Sequence, residues 1–345
     1  MPLPPVKETY FEDVKVGQEI PTISIGPLTH HDFIFVPSAH HIWYIGHHDE
    51  DFARAQGMPD MFMHGFFYYG MLQRLLCGWG GASSVPRRIK YRIARPTVRG
   101  QLITGRGRVT SKRVEDGEHL VELDASLETQ HGETNCRADA TVVLASREAP
   151  EAPYRPPEPK PIAVGVAETA EEYKQYVGRE AAPREQPYPV TVRAIEHYLE
   201  SIQDDNPLYW SDEYGKQTKW GGRIAPWGAV NVLGSDHRQW RPSWMEREAQ
   251  AFNVLEGVPG FPTEQQANTN TEYWCYNPVR VGDRFTATTR LAAIVGPKTT
   301  RVGTGYFVTT EALYRNQDGK PCCKDDMAVY NYHRGEAAGY AATGG

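Results

Sequence analysis

The chain has 345 residues, of which 40% are hydrophobic, 23% charged and 11% aromatic, and its formal net charge is −6. This length favours two domains over one core, and the balance of residues is that of a globular protein. The negative charge excludes a generally basic nucleic-acid surface, and no apolar run reaches the ~18 residues that a membrane-spanning helix needs.

The N-terminal residues contain no basic stretch followed by an apolar segment, so we expect no signal peptide and a cytoplasmic location. The cysteines form no CxxC pair, and the one adjacent pair has poor geometry for a metal site or a disulfide, so we predict reduced structural thiols. These five cysteines are Cys77, Cys136, Cys275, Cys322 and Cys323.

The first part of the chain is predicted to form two helices followed by four strands. Thr29 is a plausible N-cap for a short helix within residues 29–46, and Gly65 opens an apolar helix over residues 65–79. Alternating segments separated by turn signals then predict antiparallel strands over residues 87–96, 101–113, 119–130 and 136–146. The basic residues near the first strand alternate as one solvated face would, although they could also meet coenzyme phosphates. They are Arg87, Arg88, Lys90, Arg92, Arg95 and Arg99.

A proline-rich segment follows, because six of the twelve residues 150–161 are proline, which stiffens a connection and cannot pair inside a sheet. We therefore predict a domain at residues 1–147, a linker at 148–162 and a second domain at 163–345.

The second domain repeats the order of helices and strands found in the first. A helix capped by Thr191 covers residues 191–202, an apolar helix covers 228–234, and strands cover 271–279, 284–295, 304–316 and 324–333.

The two parts also align residue by residue. Four residues recur 182 positions later, namely Pro96, Gly100, Thr104 and Arg108 as Pro278, Gly282, Thr286 and Arg290. Upstream, the capping threonines lie 162 positions apart, and Gly65 lies 163 positions before Gly228. Offsets that hold near 162 and then rise to 182 indicate a duplicated domain with an insertion in the second copy, which we place at residues 235–266.

A helix that is apolar on nearly every side must be buried. A strongly curved antiparallel sheet wrapped round one such helix is the simplest architecture that buries it. We therefore predict an α+β protein of two tandem hot-dog domains, arranged as a pseudo-dimer.

At this point the residues resemble a family. The opening FEDVKVGQEI, the segment HDEDFARAQGMPDMFMHGFFYYGML and the second-copy segment DDNPLYWSDEYGKQTKWGGRIAPW are similar to the MaoC-like hydratase/dehydratase superfamily, in its two-domain form. The resemblance implies reversible addition of water to a trans-2-enoyl-CoA. It also implies that no metal or redox cofactor is needed, with CoA present only as part of the substrate.

The family signature is Asp-x-Asn-Pro-x-His on the loop before the central helix. The carboxylate and the imidazole hold a water against the β-carbon of the thioester; one removes a proton and the other delivers one to the α-carbon. A backbone N–H at the start of the central helix meets the thioester oxygen, where negative charge develops.

In the first copy this signature keeps only its histidine. His47 takes the acid/base position, Ile42 stands in place of the aspartate, and Tyr44 stands in the asparagine position, where its hydroxyl could hold the water. The resemblance assigns Gly65 as the oxygen-binding N–H donor and places His64 against the substrate. Asp49 or Glu50 could replace the missing carboxylate, and we predict no metal site in this histidine-rich stretch.

In the second copy the signature keeps the residues that the first copy lost. Asp204, Asn206 and Pro207 are present, and Tyr209 replaces the histidine. The resemblance implies that this copy is non-catalytic and that Asp204, Asn206, Tyr209 and Gly228 line the substrate tunnel. Corresponding loops of a pseudo-dimer line separate clefts, so we expect Asp204 and the catalytic histidine of the first copy to lie far apart.

Two other functions stay open because neither copy has the whole Asp/His pair. The chain could be a degenerate acyl-CoA-binding subunit that needs a partner chain, or a thioesterase in which His47 activates water at the carbonyl. We expect an acyl-CoA substrate, no nucleic-acid or membrane partner, and a possible homo-oligomer.

Overall fold

The structure is a computed structural model that describes residues 3–149, 154–234, 242, 254–255, 257–260, 265–300 and 302–334. Its strands lie in two groups along the chain. The first group is β1 (Ile23–Ile25), β2 (Val85–Ile93), β3 (Ile103–Glu115), β4 (Glu118–Thr129) and β5 (Thr134–Val143). The second group is β6 (Arg184–Glu185), β7 (Gln265–Cys275), β8 (Phe285–Thr300), β9 (Gly303–Asn316) and β10 (Pro321–Arg334).

The helices precede the long strands of each group, as the sequence predicts. Those of the first group are α1 (His30–Ala39), α2 (Glu50–Ala55) and α3 (Gly65–Gly80). Those of the second group are α4 (Val192–Ile202), α5 (Pro207–Trp210), α6 (Asp212–Gly215) and α7 (Val230–Leu233). No helix among the described residues is long and apolar enough to cross a membrane.

The described strands form one antiparallel sheet of ten strands in the order β1-β3-β4-β5-β2-β7-β10-β9-β8-β6. The two groups meet where β2 pairs with β7. In this pairing Arg88 lies opposite Trp274 and Arg92 lies opposite Asn270. The offset of 182 positions relates Arg88 to Asn270 and Arg92 to Trp274, so each pair is the symmetry equivalent of the other. Lys90 lies opposite Glu272, which marks the pseudo-two-fold axis and confirms the offset read from the sequence.

The core of the first half lies between α3 and strands β2 to β5. α3 packs against all four of these strands, and twelve of its sixteen residues are buried. Among them are Phe67, Met71, Leu72 and Leu76, each fully buried. A buried side chain of this size contributes roughly 1.5–3 kcal/mol, so this helix anchors the half that contains it.

The two predicted capping threonines begin the helices that bring the halves together. Thr29 caps α1 through a reciprocal pair of hydrogen bonds with Asp32, and Thr191 caps α4 by accepting a hydrogen bond from the N–H of Ala194 at 3.1 Å. α1 and α4 pack against each other. Of the second predicted apolar helix the structure describes one turn, α7, and most of the predicted insertion at 235–266 lies outside the described residues.

One basic side chain of β2 departs from the predicted solvated face. Arg87 is only 3% exposed, forms a buried ion pair with Glu118 and donates a hydrogen bond to the carbonyl of Cys275. The expectation was wrong here because the register of β2 against β5 shifts between Val85 and Arg88, and such a bulge turns a side chain towards the other face. All five cysteines are free and buried, as predicted.

Candidate functional site

His47 closes a short 3-10 turn, Ile45–His47, just before α2. Its side chain is buried, with 7% exposed, and its Nδ1–H donates to the carbonyl oxygen of Phe62 at 2.6 Å. This bond leaves the Nε2 lone pair free. Burial lowers the pKa of His47 from 6.5 to about 4, so the imidazole is neutral at physiological pH and can accept a proton.

His64 is the N-cap residue of α3 and lies beside His47. Their ring centroids are 5.6 Å apart, and the His64 side chain is 6% exposed. Neither of its ring nitrogens has a hydrogen-bond partner among the described residues. Burial lowers the pKa of His64 well below its usual value. A buried polar group without a partner costs free energy, so this ring is poised to bind something that enters the site.

His40 extends this group on the side of the second half. Its ring lies 4.9 Å from that of His64 and stacks on Tyr198 at 4.7 Å. The hydroxyl of Ser201 donates to the carbonyl of Tyr198, so it accepts from Nε2–H of His40 at 2.9 Å. Burial lowers the pKa of His40 to about 3. His40, His47 and His64 therefore form a histidine cluster that is neutral at physiological pH. The sequence showed a histidine-rich stretch here but not this burial.

Gly65 places the start of α3 against a strand of the other half. A Cβ at this position would lie 2.9 Å from Nδ2 of Asn268, on β7, so only glycine fits without a shift. The hydroxyl of Tyr91 donates to the Gly65 carbonyl at 3.1 Å. As the first residue of the helix, Gly65 has an N–H that no carbonyl within the helix can accept from. Sequence reasoning missed Asn268, because no local pattern marks it.

Tyr44 lies at the rim of the site. Its ring centroid is 5.3 Å from that of His47, and 44% of the residue is exposed. Partial burial raises the pKa of its hydroxyl, which therefore stays protonated. Its chain neighbours Trp43 and Ile45 are also exposed, so the surface here has an apolar character.

The two acidic residues that could replace the missing carboxylate are engaged elsewhere. Asp49 caps α2 by accepting a hydrogen bond from the N–H of Phe52 at 2.7 Å. Glu50 forms ion pairs with Arg54 at 2.6 Å and with Arg99 at 2.5 Å. No group of three or more possible metal ligands occurs within the described parts of the chain.

The signature residues of the second copy follow α4 in the other half. Asp204 is 3% exposed, its Oδ1 accepts from the N–H of Asn206 at 3.0 Å, and Oδ2 has no described partner. Burial raises its pKa to about 6. Asn206 caps α5 through the N–H of Leu208 at 3.2 Å. Asp204 and Trp210 line a cleft of about 550 Å³.

Tyr209, in the histidine position of the second copy, is fully buried and accepts a hydrogen bond from Gln73 of α3 at 3.1 Å. Gln73 lies eight residues beyond Gly65, about 12 Å along the helix axis. Asp204 follows Ile202, whose carbonyl accepts from Arg74 on the same turn as Gln73. The two copies of the signature thus lie at different positions along α3, and the structure brings together His47, His64, Tyr44 and Gly65 but not Asp204.

Gly228 has surroundings unlike those of Gly65. Its φ is +72°, and a Cβ there would collide with the hydroxyl of Tyr69 from α3. That hydroxyl donates to the carbonyl of Trp227 at 2.8 Å. The position equivalent to the helix start at Gly65 is therefore filled by a buried tyrosine. The substrate contact predicted for Gly228 stays a prediction.

Comparison with solved structures defines the class of protein. A MaoC domain protein dehydratase from Chloroflexus aurantiacus superposes with a TM-score of 0.65 at 14% identity, covering 94% of this chain and 98% of that one. A conserved hypothetical protein from Mycobacterium tuberculosis, described as having a double hotdog fold, superposes with a TM-score of 0.57 at 14% identity. The superposition covers 94% of this chain and 99% of that one. The chain is therefore a double hot-dog protein, as predicted.

Comparison of sequences finds similarity to proteins named as dehydratases and hydratases. Residues 175–325 match the family model of the FAS1-like dehydratase domain region. The "Probable enoyl-CoA hydratase alpha subunit" of Thermomonospora curvata is 26% identical over 152 residues, which are 42% of this chain and 46% of that protein. The "3-oxo-4,17-pregnadiene-20-carboxyl-CoA hydratase beta subunit" of Mycobacterium tuberculosis is 37% identical over 77 residues, which are 22% of this chain and 58% of that protein. The chain thus matches about half the length of these relatives, and the resemblance to the MaoC-like hydratase/dehydratase superfamily is confirmed.

Proposed function

We propose that the chain catalyses the reversible addition of water to a trans-2-enoyl thioester such as an enoyl-CoA. The observation that carries this proposal is the pair of buried, neutral imidazoles, His47 and His64, at the N-terminus of α3. The names of the sequence relatives, which are hydratase subunits, point in the same direction.

In this proposal His47 is the acid/base group. Its Nε2 removes a proton from water, the water oxygen bonds to the β-carbon, and the π electrons move towards the thioester oxygen. The protonated ring then delivers a proton to the α-carbon, which completes the addition. Because the Nδ1–H of His47 is held by the carbonyl of Phe62, the ring keeps one orientation through both transfers.

In this proposal the remaining predicted residues bind and orient the thioester and the water. The N–H of Gly65 donates to the thioester oxygen as negative charge develops there, helped by the positive end of the α3 dipole. The unpartnered ring of His64 holds the water or the thioester, and the hydroxyl of Tyr44 orients the water from the rim. The reaction needs no metal or redox cofactor, and Asp204, Asn206, Tyr209 and Gly228 remain proposed contacts for the far end of the acyl group.

A binding subunit is the second candidate. Asp49 and Glu50, the two acidic residues that could replace the missing aspartate beside His47, are held by other partners. The relatives carry subunit names, which fits a chain whose site is completed by another chain. A thioesterase has less support, because it usually needs a carboxylate on the central helix and the α3 sequence GFFYYGMLQRLLCGWG has none.

The test measures loss of enoyl-thioester absorbance with short, branched and bulky trans-2-enoyl-CoA substrates, with release of free CoA followed in parallel. The wild type is compared with His47→Ala and with His131→Ala, a control in the exposed turn between β4 and β5. Hydration without CoA release, lost in His47→Ala and kept in His131→Ala, supports the hydratase. CoA release indicates a thioesterase. Tight binding without turnover contradicts a self-contained enzyme and indicates a binding subunit.

A further inference from the structure

We propose that Asn268, from the second half, is a second hydrogen-bond donor to the thioester oxygen and acts together with the N–H of Gly65. This inference rests on the proposed function, since it assigns the site a further residue. It means that the site of the first half is completed by a side chain from the other half of the same chain.

Asn268 lies beside a bulge of β7. It lies on β7 two residues before Asn270, which is the first residue of β7 that pairs with β2. The pairing of β7 with β10 is irregular at this point, because Asn270 faces Ala328 and Asn268 faces Val329 with one residue between them left over. Bulges of this kind occur beside active sites, where they redirect a side chain. Here the redirected side chain reaches the start of α3.

The amide of Asn268 is held in one orientation. The hydroxyl of Thr271, on the same strand, donates to Oδ1 of Asn268 at 3.1 Å, which fixes which end of the amide is the oxygen side. The amide nitrogen then faces Gly65, where an added Cβ would lie 2.9 Å from it. The backbone N–H of Gly65 and the NH₂ of Asn268 are therefore neighbouring donors at a helix N-terminus, the arrangement that binds a developing oxyanion.

The two halves differ at the position of Asn268. The offset of 182 places Pro86 at the position equivalent to Asn268, and proline carries no donor. The helix start at Gly228 is covered by the Tyr69 hydroxyl. The side-chain donor Asn268 therefore lies beside the helix start that is also next to His47 and His64. The equivalent position beside the other helix start is a proline.

The chemistry explains why a second donor matters at this site. When water adds to the β-carbon, the electrons of the double bond shift towards the thioester oxygen, and this oxygen carries more negative charge in the transition state than in the bound substrate. A donor aimed at that oxygen lowers the barrier more than it tightens substrate binding, so its loss is expected to lower kcat by about a hundred- to a thousandfold while KM changes little.

The test compares Asn268→Ala and Asn268→Asp with the matched control Asn270→Asp, which changes an exposed asparagine on the same strand. Asn268→Asp keeps the shape of the side chain but replaces the donor by a negative charge. We expect the fall in kcat for both Asn268 variants, a greater one for Asp, and near wild-type kinetics for the control. A kcat within about twofold of wild type in both Asn268 variants, with unchanged thermal unfolding, would overturn the inference.

A spectroscopic readout separates failure of this inference from failure of the proposed function. Bound 2,4-hexadienoyl-CoA absorbs at longer wavelength when hydrogen bonds polarise its carbonyl, and this requires binding but no turnover. A shift in wild type that is reduced in Asn268→Ala and kept in Asn270→Asp supports the inference even if hydration is absent. An equal shift in all three proteins contradicts it. If the probe does not bind to the wild type, both the proposed function and the inference fail.

Discussion

The buried imidazole of His47 makes the stability of the protein depend on pH in a defined direction. Its pKa falls from 6.5 in the unfolded chain to about 4 in the folded one. Between these values the unfolded chain takes up a proton that the folded chain does not, so stability is present above pH 6.5 and is lost as the pH falls to about 4. At 1.36 kcal/mol per unit of pKa difference, His47 alone accounts for a loss of about 3 kcal/mol.

The matched variant is His47→Asn, whose amide can keep the hydrogen bond to the Phe62 carbonyl but cannot titrate. Urea unfolding of both proteins, followed by tryptophan fluorescence from pH 7.5 to pH 4, gives the free energy of unfolding at each pH. We expect the advantage of the wild type over His47→Asn to shrink by about 3 kcal/mol over this range. His131→Asn, which changes an exposed ring, should follow the wild type. Parallel curves for the wild type and His47→Asn would show that His47 titrates normally and is not buried as described.

Three further predictions concern the site and the junction between the halves. If His47 is the base, kcat/KM of the wild type should hold steady on acidification well below pH 6.5, and a fall centred near 6.5 in a pH–rate profile would contradict this. Gly65→Ala should lower kcat at least about tenfold with little change in thermal unfolding, because its Cβ would press on the amide of Asn268. Arg87→Met should lower the free energy of unfolding by about 3 kcal/mol by leaving Glu118 without its partner, and the double variant with Glu118→Leu should recover much of this loss in urea unfolding.

The architecture could be predicted because its signals are local or periodic. Alternating residues and turn signals located the eight long strands of the structure, and the capping threonines located α1 and α4. The offset of 182 positions came from four repeated residues and agrees with the register of β2 against β7. Such signals survive in a single sequence because each depends on neighbours in the chain or on a repeat of the same backbone.

The candidate site could be predicted only in part, because some of its residues meet through contacts between segments that are distant in sequence. His47 and Gly65 follow from a motif, whereas Asn268 reaches Gly65 only through a sheet that joins the two halves and a bulge that turns its side chain. The burial of Arg87 depends on a second bulge in the same way. A shift of one residue in register exchanges the faces of a strand, and nothing in the local composition records it.

The comparison of Gly65 with Gly228 shows what fusion of two hot-dog domains permits. In a symmetric dimer of identical chains both helix starts would face the same residues, so any donor or block at one would occur at the other. In this chain the start at Gly65 faces Asn268 and the histidine cluster, while the start at Gly228 is filled by Tyr69. One duplicated backbone therefore carries a cluster of three buried histidines beside one helix start and a buried tyrosine beside the other.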